Sequence, residues 1–262
     1  MHRLTRQVRF GISPDGTLAD GGTNGFAARP PLLGLGIYLE LEATFVGEPD
    51  VASQYVKDIK AIDTAVGERV LPVVQAALAA GRSGSADAGG RMLQTAFDRL
   101  AGAFADVRLA NLKLRLSPQL HLETDGTDMI RLTQTFEFSA SHRLHNDRFS
   151  DEDNRRMYGK CNNAQGHGHN YVVEVTLKGP PGADGQLMPV RRFEETVQAV
   201  VIDDFDHKHL NTQVADFEVT IPSVENIAAA IFQRLASAFE APVRLDNVRV
   251  YETPKTWCDY SA

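Results

Sequence analysis

Hydrophobic positions change period along the chain, and the changes mark out its elements. Residues 171–177 alternate apolar and polar and are rich in β-branched side chains. Residues 243–251 do the same, which predicts two half-buried strands. Between them Phe193, Val197, Val200 and Val201 recur at helical spacing, as do Ile227, Ile231 and Leu235. The second helix follows Pro222-Ser223, where the Ser223 hydroxyl can cap the first turn. Strands grouped apart from helices predict an α+β fold, an antiparallel sheet with two helices on one face. A Gly/Ser/Ala-rich stretch, Ala79 to Gly90, and a charged run, Asn146 to Arg156, lack such a period and are expected to be mobile.

The pattern occurs twice. Leu4-Thr5 through Ser13 lies over Leu132-Thr133 through Ser141, an offset of 128 residues. Gly34-Leu35-Gly36-Ile37 lies over Gly166-His167-Gly168-His169, and each leads into a β-rich run that a glycine closes, Gly47 or Gly179. Phe97-Asp98-Arg99-Leu100-Ala101-Gly102-Ala103-Phe104 lies over Phe232-Gln233-Arg234-Leu235-Ala236-Ser237-Ala238-Phe239. Last, Asn111 to Pro118 lies over Asn247 to Pro254, at an offset of 136. Four matches in one order, with a slowly growing offset, are what a duplicated domain with small insertions leaves behind. The reading is two copies, residues 1–127 and 128–262, each strand, strand, helix, helix, strand, strand.

Composition narrows the class. The chain has 27 Lys and Arg against 34 Asp and Glu, a net charge of −7, which argues against a nucleic-acid partner. Two cysteines, Cys161 and Cys258, are too few for a disulfide-stapled secreted scaffold. No stretch approaches the roughly 18 uninterrupted apolar residues of a spanning helix. The first residues, Met1 to Gln7, are charged and polar and carry no apolar signal core. A cytoplasmic protein with no membrane partner is the expectation.

The chemistry is concentrated in the second copy. His167 and His169 alternate, so on a strand both imidazoles point to one face. His142, at the end of Ser139-Ala140-Ser141-His142, can complete a set of three. Three neutral nitrogen ligands suit Zn²⁺ and leave its fourth tetrahedral position open, as catalytic sites do. The corresponding places in the first copy hold Pro14, Leu35 and Ile37, so one zinc per chain is expected. Cys161 lies in a polar Gly/Asn-rich loop, and a thiol beside a dication or imidazolium is pushed toward thiolate. Cys258 reads as an inert buried side chain, and His145 and His209 as surface histidines. Asp206-His207 pairs a carboxylate with an imidazole, which fixes a tautomer and suits proton transfer near neutral pH.

Several segments together resemble the 6-pyruvoyltetrahydropterin synthase family: Phe138 to Leu144, Gly159-Lys160-Cys161-Asn162-Asn163, Gly166 to Tyr171, and Asp206-His207-Lys208. The resemblance covers residues 132–262; the first copy shares only the framework. It implies tandem tunnelling-fold (T-fold) domains that assemble as a homo-oligomer into a barrel, with active sites at domain seams. It implies zinc on His142, His167 and His169, Cys161 as the base that removes side-chain protons, and Asp206-His207 as its relay. It implies that Glu252 anchors the pterin, with Ser223 and Glu225 in a further pterin-contacting segment. Ser223 and Val224 stand where the family pattern has consecutive threonines. The implied reaction is conversion of 7,8-dihydroneopterin triphosphate to 6-pyruvoyltetrahydropterin with release of triphosphate, on the route to tetrahydrobiopterin. The alternative product is 6-carboxytetrahydropterin, on the queuosine route. A non-catalytic zinc- and pterin-binding protein would have no need of Cys161 and Asp206-His207.

Overall fold

The computed structural model of the chain describes residues 1–13, 21–82 and 89–261. They divide into two compact units: Met1–Leu132 with Lys178–Met188, and Thr133–Leu177 with Pro189–Ala262. Among the described residues no helix is long and apolar enough to cross a membrane.

In the first unit β1 (His2–Ile12) and β2 (Ile37–Gly47) pair antiparallel from His2↔Gly47 to Ile12↔Ile37. Three helices follow, α1 (Ile59–Arg69), α2 (Leu71–Arg82) and α3 (Gly89–Ala101). Strands β3 (Arg108–Ser117) and β4 (Leu120–Thr124) extend the sheet in the order β1-β2-β3-β4. Val8, Phe10 and Ile12 of β1, Leu39, Leu41 and Phe45 of β2, and Leu112 and Leu114 of β3 are buried. So are Ile62 and Val66 of α1 and Leu93, Phe97 and Leu100 of α3. The helix layer therefore has three members where two were expected. Asp58 caps α1 by accepting from the Lys60 N–H, and the helix ends at Val70. Pro72 lacks an N–H and disfavours helical backbone at Leu71, so α2 starts afresh there. Of the expected mobile stretch Ala79 to Gly90, residues 83–88 lie outside the described residues, and its ends belong to α2 and α3. Pro14 also lies outside them.

The second unit repeats this plan around β5 (Ile130–His142), α4 (Asp151–Tyr158) and β6 (His167–Gly179). Side-chain pairs Thr133–Thr176 and Ser139–Asn170, at 2.9 and 2.8 Å, run in opposite senses along β5 and β6, which makes them antiparallel. Helix α5 (Val190–Val197) continues through a π-helical stretch, Gln198–Ile202, into the short α6 (Asp203–Phe205). Next come β7 (Lys208–His209), α7 (Leu210–Gln213), α8 (Val224–Leu235), β8 (Arg244–Thr253) and β9 (Thr256–Tyr260). The sheet order is β5-β6-β8-β9, and β7 pairs parallel with the end of β5 through Ala140↔Lys208 and Ser141↔His209. Tyr171, Val173, Val175 and Leu177 form the buried row of β6, facing the same core as Phe193, Val197, Ile227, Ile231 and Leu235.

The charged run Asn146 to Arg156 is ordered by two devices rather than mobile. Ser150 caps α4 by accepting from the Asp153 N–H at 3.1 Å, with Asp151, Glu152 and Asp153 in the first turn. Asn154, fully buried, accepts from the Asn146 N–H at 2.8 Å and donates to the carbonyls of Asn146, Phe149 and Ser150. The loop thus hangs on one side chain that hydropathy cannot flag.

One half-buried titratable group in the first unit carries a pH prediction. His121 of β4 sits opposite Arg115 on β3. Burial, then Lys113 and Arg115, push its pKa from 6.5 down to about 3. Between these two values the unfolded chain holds a proton that the folded chain refuses, so stability rises with pH across that window. Stability is therefore expected to fall as pH drops from 6.5 toward 3, and His121→Gln to remove up to one proton from that slope. Urea unfolding of parent and variant at a series of pH values checks this; identical slopes would refute it.

Candidate active site

Three imidazoles meet on the sheet of the second unit. His167 and His169 alternate on β6, and His142 ends β5; one nitrogen from each lies within 4.8 Å of the others. His142 is fully buried. Its Nδ1 lies 2.7 Å from the Pro222 carbonyl oxygen, which can only accept, so Nδ1 carries the proton and Nε2 presents a lone pair. That Nε2 lies 3.2 Å from Nε2 of His167. Burial, helped by the neighbouring imidazoles and opposed by the Pro222 carbonyl, lowers the His142 pKa to about 4. Burial and His169 lower that of His167. Both rings are therefore neutral near pH 7, as metal ligands must be.

The arrangement leaves nitrogens without partners. His167 Nδ1 and His169 Nε2 are buried and make no hydrogen bond among the described residues. Buried nitrogens left without partners are costly unless something binds them. A divalent cation fits this donor set: three converging imidazoles, one of them oriented by a backbone carbonyl behind it.

Glu252 of β8 stands beside the cluster, with Oε1 3.4 Å from His142 Nε2 and 3.7 Å from His169 Nε2. Cys161 lies in a 3₁₀ turn, Gly159–Asn162, tied to β5 by the Leu144 N–H donating to its carbonyl at 2.9 Å. Burial, and then the Glu252 carboxylate, raise its thiol pKa. The sequence argument expected a thiol pushed toward thiolate; without a cation these two causes act the other way. Cys258, half-buried on β9, has its thiol raised by burial and then Glu225.

Asp206 and His207 follow α6, where the backbone turns sharply and His207 takes φ +57°. Ser139 of β5 docks the pair. Its N–H donates to Asp206 Oδ1 at 2.8 Å, and its carbonyl accepts from the His207 N–H at 2.6 Å. Asp206 Oδ2 lies 2.7 Å from His207 Nδ1. The Ser139 N–H, then His207, hold the Asp206 carboxyl below its ordinary pKa. The His207 side chain is 84% exposed and, with His169, Asn170 and His209, lines an open cleft of ≈ 540 Å³. Among the described residues no hydrogen bond joins Cys161 to His207. The three histidines and Glu252 form one group, the Glu252 carboxylate acts on the Cys161 thiol, and His207 shares an open cleft with His169.

Ser223 caps α8 by accepting from Asn226 N–H at 3.5 Å, next to the Pro222 carbonyl that orients His142. Glu225 lies in the first turn of that helix. Two histidines read as surface groups are part-buried instead. His145 Nδ1 lies 3.0 Å from the Asn162 amide nitrogen, beside Cys161. His209 packs on Gly166, where a Cβ would stand 3.0 Å from its Nε2 and 2.9 Å from the His142 carbonyl. Gly166 has φ +72°, so glycine is demanded there twice over. Its place before His167 was the available signal for a close approach.

Residues 131–262 match the 6-pyruvoyl tetrahydropterin synthase family. Over 130 residues the chain is 38% identical to 6-pyruvoyl tetrahydrobiopterin synthase of Drosophila melanogaster, covering 49% of this chain and 77% of that one. The solved structure of Caenorhabditis elegans 6-pyruvoyl tetrahydropterin synthase is 36% identical, with a TM-score of 0.49, over 51% of this chain and 96% of that one. A putative 6-carboxy-5,6,7,8-tetrahydropterin synthase of Archaeoglobus fulgidus is 37% identical over 93 residues, 36% of this chain and 73% of that one.

The first unit has Leu35 and Ile37 where the second has two of the histidines. Freshly purified protein is therefore expected to hold about one divalent metal per chain, and His169→Ala to weaken its retention by more than about 100-fold. Elemental analysis and chelator competition check both; two metals per chain, or full retention by the variant, would refute them.

Proposed function

Because the chain belongs to the 6-pyruvoyl tetrahydropterin synthase family, we propose that it converts 7,8-dihydroneopterin triphosphate to 6-pyruvoyltetrahydropterin, releasing triphosphate. The observation that carries this reading is the three converging imidazoles with Glu252 beside them, whose carboxylate field also reaches Cys161. Zn²⁺ is the ion best suited to three imidazole nitrogens with an open fourth position. When Zn²⁺ is bound, the chemistry it supplies is Lewis acidity toward the hydroxylated side chain of the substrate.

The chain's own residues handle position and protons. Glu252 accepts from the 2-amino and N3–H edge of the pterin and orients the ring. Ser223 and Glu225 border the same end of the site. Cys161 takes the proton that leaves the side-chain carbon. Its raised pKa gives the thiolate high basicity, and a neighbouring cation brings that pKa back toward the working range. His207, held in one tautomer by Asp206, relays protons while the triphosphate departs. Arg143 and Arg148 line a cavity of ≈ 680 Å³ with His145 and His209, which suits the departing polyanion better than Arg155, Arg156 or Lys160 of the α4 region.

The exposed His207 and the missing Cys161–His207 link favour a relay completed by another copy of the chain, in a homo-oligomer. The first unit repeats the strand and helix plan without the ligands; we read it as a degenerate copy of the same domain, retained for packing. Its sheet helps close the barrel, since two small sheets cannot do so alone. Two free cysteines suit a reducing compartment, and a cytoplasmic location is part of the same proposal.

The Archaeoglobus relative supports a second reading, formation of 6-carboxytetrahydropterin with loss of acetaldehyde. Incubation with dihydroneopterin triphosphate and mass analysis of the pterin product separates the two. A pyruvoyl side chain is expected, with turnover at least about 100-fold lower in Cys161→Ala at unchanged metal content. No pterin product from the metal-loaded parent would refute the activity; near-normal turnover of the variant would remove Cys161 from it.

A further inference from the structure

His145 stands outside the proton-handling groups named above, yet only 21% of its side chain is exposed. Its Nδ1 lies 3.0 Å from the Asn162 amide nitrogen, which also lies 2.7 Å from the Leu144 carbonyl oxygen. A carbonyl oxygen only accepts, so the amide nitrogen is correctly placed as donor to both groups. His145 Nδ1 must then accept, and its proton sits on Nε2, 3.3 Å from Asp147 Oδ1. The imidazole is thus held in one tautomer as a hydrogen-bond acceptor.

What it fastens is the turn that carries Cys161. A single 3₁₀ turn, Gly159–Asn162, gains little from its own hydrogen bonds. Three consecutive residues just past His142 hold its last two members. Arg143 Nε donates to the Asn162 carbonyl at 3.3 Å, and the Leu144 N–H donates to the Cys161 carbonyl at 2.9 Å. The Asn162 amide then bridges the Leu144 carbonyl and His145. Residues 143–145 are themselves pinned to α7. The Arg143 N–H donates to Asn211 Oδ1 at 2.8 Å, and Asn211 Nδ2 donates back to the Arg143 carbonyl at 2.9 Å. So held, Cys161 is half-buried, with burial and then Glu252 acting on its thiol.

We propose that His145 is a positioning residue for Cys161: by accepting from Asn162 it locks the amide onto the Leu144 carbonyl, and the turn then presents the thiol in one place. This rests on the reading of Cys161 as the base and deepens it. The Leu144–Cys161 backbone bond alone would act as a hinge, and the amide bridge beside it supplies a second fixed point.

The test uses the full zinc-loaded chain, with zinc content and a melting curve taken for every variant. His145→Leu fills the place of the ring without accepting, His145→Gln offers a carbonyl oxygen that can accept, and Asn162→Leu removes the bridge itself. Two quantities are measured: the rate at which iodoacetamide labels Cys161, read on its peptide by mass, and kcat and KM with dihydroneopterin triphosphate. Labelling in His145→Leu is expected to be about fivefold faster at unchanged zinc content, the factor one hydrogen bond is worth in opening the turn. Its kcat is expected to fall by about tenfold with KM within about twofold, as a displaced base requires. Asn162→Leu is expected to match it, and is read in its place should His145→Leu not fold. His145→Gln is expected to recover most of both effects. Unchanged labelling in both leucine variants would overturn the proposal. A raised KM beside it would assign His145 to the cavity it lines, and a lower melting temperature would assign the network to stability alone. His145→Gln labelled as fast as His145→Leu would also overturn it, because the accepted bond would then not be what holds the turn. Faster labelling with kcat unmoved, or with no pterin product from the parent, would keep His145 in its role and remove, respectively, Cys161 as the base or the proposed activity.

Discussion

The second unit is organised around a cost: three imidazoles are held close together at the end of a sheet, with two of their nitrogens unpartnered among the described residues. Hydrophobic burial of the β6 row below them fixes the strand, and the strand's two-residue period brings His167 and His169 to one face. The Pro222 carbonyl behind His142 sets the tautomer. A cation bound by the converging imidazoles would bind the folded state alone, so stability and metal loading should rise together.

The proton-handling groups depend on the same two strands. Ser139, three residues before His142, holds the Asp206–His207 pair through both of its backbone groups. Cys161 is tied to the residue after the following arginine, Leu144, through one backbone bond. The metal ligands and the acid–base groups are thereby built on β5 and β6 rather than on free loops. Such placement keeps reacting groups in register at little entropic cost on binding.

Much of this was legible in the sequence because periodicity and motif spacing report strands, helices and shared faces directly. His167 and His169 needed only their alternation, and Ser223 only its place before an apolar helical period. What could not be read were effects of contacts distant in sequence. Asn154 looks like one polar residue in a charged run, yet its four hydrogen bonds turn an expected mobile loop into an ordered one. The raised pKa of Cys161 comes from burial and from Glu252, 91 positions further along the chain. The break between α1 and α2 at Pro72 lies in the first copy, whose helices were expected only from its match to the second. His209 looked like surface because its partner is a glycine, whose only signal is the absence of a side chain.

The most direct test of the central claim is the X-ray absorption spectrum of the zinc-loaded protein at the metal edge. Three imidazole nitrogens at roughly 2.0–2.1 Å with one further light ligand are predicted, and Cys161 stays outside the coordination shell as a base. A sulfur scatterer at about 2.3 Å would contradict the account, because it would make Cys161 a ligand and close the position that the chemistry needs open.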